Sequence, residues 1–352
     1  MSNFRFLTAG ESHGKCLTAI IEGVPSGFEI NPELINQDLK RRQSGYGRGD
    51  RMNIEFDTAE ITSGVRFGKT LGSPITLVIQ NKDYENWQKI MSVAKEDYTE
   101  EKSFSKCRPG HADYAGSLKY NQKDLRNILE RSSARKTAIE TAVGAIAKQI
   151  LIPFGINCKS DILQIGNAKE NFEQEIDFAK ENGDTLGGKF EVVFNNLPVG
   201  LGSCMHWDRT LDGKIAQAVM SIPAIKAVEI GQNPLGFSGS EYHDQMYIND
   251  GKIIRKTNNA GGIEGGMTNG EPLIVKAVMK PIPTLKKSLN TVDLKTMEEC
   301  QAHFERSDTC AVEACSVVAE AKIACILADE ILQKFGGDSF DEIINNFNHK
   351  MI

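Results

Sequence analysis

The segment 130–151 constrains the fold of this chain most. Ala138, Ala142, Ala145, Ile146 and Ile150 recur at helical spacing and give one helix a face of small and apolar side chains. Ser132 or Ser133 offers a hydroxyl suited to capping its start. A second long helix is predicted over 311–334, closing the chain. A helix over 31–42 opens on Asn31, Pro32 and Glu33, a cap, a first-turn proline and an early acid. Residues 210–220 also read as helical. Strands are predicted over 4–9, 53–56, 75–79, 189–194, 224–230 and 273–279, the fourth alternating like a half-buried strand. The elements alternate without a tandem repeat or a low-complexity linker, which predicts a single α+β domain spanning 1–352. The polar stretch 81–106, with its Glu100-Glu101 pair, reads as a mobile surface excursion.

Composition narrows the function classes. The chain has 352 residues, 40% of them apolar, enough for a sizeable core. Lys plus Arg is 41 against 47 Asp plus Glu, a formal charge of -6. That balance argues against a nucleic-acid binder but leaves room for an anionic substrate, because a few arginines can converge inside an acidic protein. The eight cysteines form no C-x-x-C pair and are scattered, which points to reduced, mostly buried thiols of a cytoplasmic protein. The first ten residues carry no signal-peptide pattern, and no uninterrupted apolar run suggests a membrane segment.

Seven clusters hold the residues that could do chemistry. Glu11-Ser12-His13 lies between Gly10 and Gly14. A histidine there can exchange a proton near neutral pH, or merely satisfy a turn carbonyl. Ser12 lacks the G-x-S-x-G frame of a hydrolase nucleophile. Arg108-Pro109-Gly110-His111-Ala112-Asp113 is a stiff turn presenting three polar side chains, as a site or as plain surface. Arg131-Ser132-Ser133-Ala134-Arg135, at an expected helix start, suits a phosphate or simply a serine cap. The loop 41–51 carries Arg41, Arg42, Arg48 and Arg51 among glycines; such a charge run is also a common solvated face. The glycine-rich turn 258–266 is not a Rossmann fingerprint. Lys280-Pro281-Ile282-Pro283-Thr284 and Arg306-Ser307-Asp308-Thr309-Cys310 follow or precede predicted elements. No histidine pair has the spacing of a metal site.

Taken together, in order and in register, five of these motifs resemble the chorismate synthase family: Gly10 to Gly14, Arg108 to Asp113, Arg131 to Arg135, Asn259-Ala260-Gly261-Gly262-Ile263, and Arg306-x-Asp308-x-Cys310. The resemblance runs from Phe4 to about Leu332, without large insertions, as in the bacterial monofunctional type. It implies a β-α-β sandwich with helices packed around antiparallel sheets, and a homotetramer. It also implies an anti-1,4-elimination of phosphate and a proton from 5-enolpyruvylshikimate 3-phosphate, with reduced FMN and no net redox change. A separate system, with NADPH as indirect reductant, would supply the reduced flavin. Carried over residue by residue, His13, His111, Asp308 and Ser12 match the catalytic set. Arg131, Ser132, Ser133, Ala224, Asn259, Ala260, Gly265, Lys280, Pro281, Ile282, Pro283, Thr284 and Arg306 match the flavin contacts. Arg42, Arg48, Arg108 and Arg135 match the substrate side. The family's usual Arg-His-Asp-Pro-Cys stands here as Arg306-Ser307-Asp308-Thr309-Cys310, which changes the stiffness and hydrogen bonding of that loop. An FMN-dependent oxidoreductase or flavin reductase is the competing enzyme reading. A phosphate- or RNA-binding module is the non-enzyme one, and it lacks interleaved aromatic and basic residues.

Overall fold

The computed structural model describes residues 4–49, 56–304 and 307–350. Two four-stranded antiparallel sheets enclose a layer of helices. The first sheet contains β1 (Arg5–Ala9), β2 (Cys16–Glu22), β3 (Glu60–Ser63) and, after the small hairpin β4 (Val65–Arg66) and β5 (Lys69–Thr70), β6 (Ile75–Gln80), in the order β1-β2-β6-β3. The second contains β7 (Asn157–Ile165), β8 (Gly188–Asn195), β9 (Ile225–Ile230) and β14 (Leu273–Met279), in the order β7-β8-β14-β9. Like β4–β5, three further two-stranded hairpins lie outside the sheets: β10 (Met246–Asn249) with β11 (Lys252–Arg255), β12 (Ile263–Glu264) with β13 (Met267–Thr268), and β15 (Asn290–Asp293) with β16 (Glu298–Gln301). The protein is α+β, as expected.

Alternation along the strands decides which sheet face points inward. Leu17, Ala19 and Ile21 on β2 and Ile75, Leu77 and Ile79 on β6 are fully buried. Phe190, Val192 and Phe194 on β8 face the core from the other sheet. Between the sheets lie α1 (Pro32–Gln43), α4 (Thr137–Leu151) and α8 (Val312–Phe335), with α4 against the first sheet and α8 against the second. The remaining helices are α2 (Asp113–Tyr120), α3 (Arg126–Ser132), α5 (Phe172–Glu181), α6 (Leu211–Met220), α7 (Gly239–Tyr242) and α9 (Phe340–Lys350). The start of α1 follows its sequence signals: the Asn31 side chain accepts from the Glu33 N–H at 2.9 Å, with Pro32 in the first turn.

Two expectations change. The helix predicted over 130–151 is broken: α3 ends at Ser132, Ser133 is extended, and α4 begins at Thr137 after one tight turn. Ser133 leaves the helix because its hydroxyl accepts from the Arg135 N–H and meets Ser12, a local alternative to helical bonding. Burial of α4 is also not confined to one face. Every residue except Lys148 is buried, as befits a helix walled on both sides. The strand expected over 53–56 lies outside the described residues apart from Phe56, which is in a loop.

Two contacts hold the helical layer. At Gly144 the two long helices nearly touch: a β-carbon there would sit 2.2 Å from Ala321 Cβ and 2.4 Å from its Cα. Below it, Glu320 is fully buried and accepts from Arg41 (2.7 and 2.8 Å), from the Ser160 hydroxyl (2.6 Å) and from Lys148 (2.5 Å). Burial opposes ionisation of Glu320, but the two cations and the hydroxyl outweigh it and hold the carboxyl down at about 2.

Gly144→Ala gains about 1 kcal/mol of helix propensity but incurs over-packing of about 3 kcal/mol. Chemical denaturation should therefore show a net loss near 2 kcal/mol. Glu320 carries a folded-state pKa below its unfolded value, so its contribution is complete above about pH 4.5 and fades as pH falls toward 2. Glu320→Gln leaves Asp38 as the remaining carboxylate partner of Arg41 and Lys148 and should cost about 3 kcal/mol at neutral pH. Across that acidic window the gap to the unsubstituted protein should narrow in urea titrations.

Candidate active site

The turn between β1 and β2 carries Ser12 and His13, and its shape depends on Gly10. With φ at +105°, a β-carbon at Gly10 would lie 2.3 Å from the Cys16 carbonyl oxygen, so only glycine fits. The end of α3 clamps this turn. Arg131 donates to the carbonyls of Gly10 (2.9 Å) and Thr8 (2.8 Å) and to Thr8 Oγ1 (2.8 Å). The Ser12 N–H donates to the Glu130 carbonyl at 2.9 Å, and the Ser12 hydroxyl donates to Ser133 Oγ at 3.1 Å. His13 Nδ1 lies 2.8 Å from Glu130 Oε1, while the His13 N–H donates to Oε2 at 2.8 Å. Trp87 stacks on the His13 ring at 4.0 Å between centroids. The stretch 81–106 thus supplies a wall of the site.

A second group gathers buried arginines. Arg135 pairs with Asp57 at 2.7 Å and donates from Nε to Asn81 at 2.9 Å. Asn81 in turn donates to the carbonyls of Glu11 (3.2 Å) and Gly14 (2.7 Å), tying the arginines to the His13 turn. Arg42 donates to Thr137 Oγ1 (3.0 Å) and the Ala134 carbonyl (3.2 Å), next to Ser133. Its Nη1 has no hydrogen-bond partner and only a long ion pair, 3.6 Å, to Asp57. Burial, helped by neighbouring Arg135 and Arg48 and opposed by Asp57, pushes the Arg42 guanidinium down to about 9. Arg48 lies 3.3 Å from Asp308, which also accepts the Gly49 N–H at 2.6 Å. A cavity lined by Gln43, Gly45 to Gly49, Asp177 and Lys180 opens on the Arg48 side.

His111 belongs to a third group. Arg108 and Asp113 form a two-pronged pair, with both bonds at 2.8 Å, and His111 Nδ1 sits 2.6 Å from Asp113. Desolvation opposes the Asp113 charge, but hydrogen bonds from Arg108 and His111 hold its carboxyl well below the usual carboxylate range. Lys280 donates to the Gly110 carbonyl, placing the stretch 280–284 against this turn. Phe104 links the groups: Arg108 lies 5.5 Å and Arg126 5.1 Å from its ring, and Arg126 is also 5.1 Å from Trp87. His13 and His111 are therefore connected through Trp87, Arg126, Phe104 and Arg108, though neither lines the cavity beside Arg48.

Other expected residues fall as follows. Ser132 donates its hydroxyl to the Ile128 carbonyl at 2.7 Å, one turn back in α3. Arg131 and Ser132 thus close a helix rather than open one, which corrects the helix-start reading. Ala224 has φ of +73°, a strained value for a residue with a side chain, and its carbonyl accepts the Lys280 N–H at 2.9 Å. Pro281 and Pro283 flank Ile282, whose carbonyl accepts the Thr185 hydroxyl at 2.7 Å. The Thr284 carbonyl accepts the Ser307 hydroxyl at 2.5 Å. Ser307 thereby ties the 307–310 loop to the 280–284 stretch. Asn259, Ala260 and Gly265 lie toward the opposite end of the second sheet: Gly261 abuts Gly231 after β9, whereas Ala224 precedes β9. At the rise of an extended strand those ends are roughly 20 Å apart. Arg306 lies outside the described residues.

Sequence reasoning missed Glu130, Trp87 and Asp57. The clearest available signal was Glu130 itself, one position before the arginine-serine motif. The comparisons agree with the geometry. A family model described as chorismate synthase matches residues 4–332. A chorismate synthase of Thermoanaerobacter pseudethanolicus (strain ATCC 33223 / 39E) is 54% identical, covering 99% of this chain and 98% of its own. One from Aquifex aeolicus (strain VF5) is 51% identical, covering 97% and 96% respectively. A solved crystal structure of chorismate synthase superposes with a TM-score of 0.78 at 41% identity, over 99% of this chain and 97% of the other. The chain belongs to the chorismate synthase family and is a lyase acting on a phosphate-containing substrate.

Proposed function

We propose that the chain performs the anti-1,4-elimination of phosphate and a proton from 5-enolpyruvylshikimate 3-phosphate, using reduced FMN without net redox change. The observation that carries this is the buried arginine cluster beside the Ser12–Ser133 bridge. A buried donor such as Arg42 Nη1 costs about 1–3 kcal/mol while unsatisfied, and an anion at that position removes the cost. Part of the proposed flavin set suits an anionic cofactor with a flat ring: Ser133 stands beside this arginine group and the strained Ala224 is bonded to the 280–284 stretch, whereas Asn259, Ala260 and Gly265 lie toward the far end of β9.

Reduced FMN, when bound, supplies an electron-rich ring able to share charge with a substrate whose departing hydrogen no carbonyl acidifies. The chain's own residues do the rest. Arg42, Arg48 and His13 stabilise charge on the leaving phosphate, and Arg108 and Arg135 hold the anionic groups in place or orient those that do. Ser12 steadies the turn that presents His13. His111, aligned by Arg108 and Asp113, faces the cofactor side, and Asp308 handles the proton. The proposal also includes a homotetramer, a separate flavin-reducing system drawing on NADPH, and a cytoplasmic location. All eight cysteines are free, which accords with a reducing compartment.

In an anaerobic assay with photoreduced FMN, His13→Ala should lower turnover by about a hundredfold to ten-thousandfold while still binding flavin. Phosphate release and conjugated-diene absorbance measure it, and wild-type turnover would refute the assignment. Steady nicotinamide consumption without phosphate release would instead mark a flavin reductase. Reduced FMN should bind about 5- to 150-fold more tightly with a substrate analogue present. Equal affinity with and without the analogue counts against a shared site.

A further inference from the structure

We propose that Glu130 is a positioning residue that fixes the tautomer and orientation of His13, an inference that rests on the catalytic role proposed for His13. The Glu130 side chain is 4% exposed, and each carboxylate oxygen serves a different part of the same residue. Oε2 accepts the His13 backbone N–H and Oε1 meets Nδ1, both at 2.8 Å. The Glu130 carbonyl takes the neighbouring Ser12 N–H, so one residue of α3 anchors two residues of the turn.

A carboxylate only accepts hydrogen bonds, so a ring proton of His13 belongs at Nδ1, and Nε2 is left as the atom that faces the leaving phosphate, to which it donates once the ring carries a second proton there. Arg126 stands 3.7 Å from Glu130 Oε1 and lies over Trp87, which also stacks on the His13 ring. The imidazole is therefore held at one edge by the carboxylate and on one face by the indole. A plain structural pin for the turn would need only the backbone contact to Oε2. The second contact, at the ring, is what assigns Glu130 a part in the chemistry.

The full-length protein labelled with 15N-histidine provides the test, the His13 signals being those lost in His13→Ala. In the unsubstituted protein, Nδ1 should carry the proton. A pattern with Nε2 protonated and Nδ1 bare would overturn the proposal, whatever happens to any variant. Glu130→Gln keeps the shape and can still accept the backbone N–H. It should change the His13 15N pattern and lower kcat about 10- to 100-fold, the loss typical when the orienting partner of a functional histidine is removed. KM and the affinity for reduced FMN should stay within about threefold. Adding Glu130→Gln to His13→Ala should lower kcat no further. An unchanged 15N pattern and unchanged kcat in Glu130→Gln would sink the proposal. Wild-type turnover in His13→Ala would remove the catalytic role of His13 instead, and the 15N pattern would still decide whether Glu130 sets the tautomer.

Discussion

The near-contact of Gly144 with Ala321 sets the spacing on which the rest of the molecule depends. It brings α4 and α8 together closely enough that the two sheets, each packed on one of them, share one apolar cluster. The two helices run the same way, since Phe154, just past the end of α4, lies 6.1 Å from Phe335, the last residue of α8. Their N-terminal ends therefore share one end of the layer. Ser133 and Arg135 precede α4 there, and Asp308 precedes α8. The geometry of the candidate site follows from how two core helices are packed.

Charge follows the same logic. A net charge of -6 says little about the centre of the protein, where cations and carboxylates are matched locally. Arg135 is spent on Asp57 and Asn81, and Arg108 on Asp113. These arginines shape their surroundings first. Arg42 Nη1 has only the long contact to Asp57, which leaves it able to answer an incoming anion. Glu320 shows the contrasting case: its partners are all in place and its task is to hold helices together.

Much of this was legible in the sequence because local physics decided it. The Asn31 cap, the alternation in β8 and the inward residues of β6 all follow from short-range patterns. The break at Ser133 was not legible, because it depends on a hydroxyl contact with Ser12, far away in the chain. Glu130 reads as one more charge on a helix until the turn from β1 is laid against it. Trp87 sits in a run whose polarity suggests nothing but surface, and only the fold delivers its ring to His13. Conversely, the Ser307 hydroxyl braces its loop against the Thr284 carbonyl, a contact no pattern of letters announces.

The stacking of Trp87 on His13 has an optical consequence. The chain contains two tryptophans, and the other, Trp207, is 79% exposed on the opposite part of the sequence. Intrinsic emission thus divides into a solvent-facing signal and one arising against an imidazole, a known quencher of indole when charged. Replacing Trp207 with phenylalanine would leave a single indole, which can be excited at wavelengths the seven tyrosines do not absorb, and whose brightness tracks the state of the ring beneath it without any attached dye.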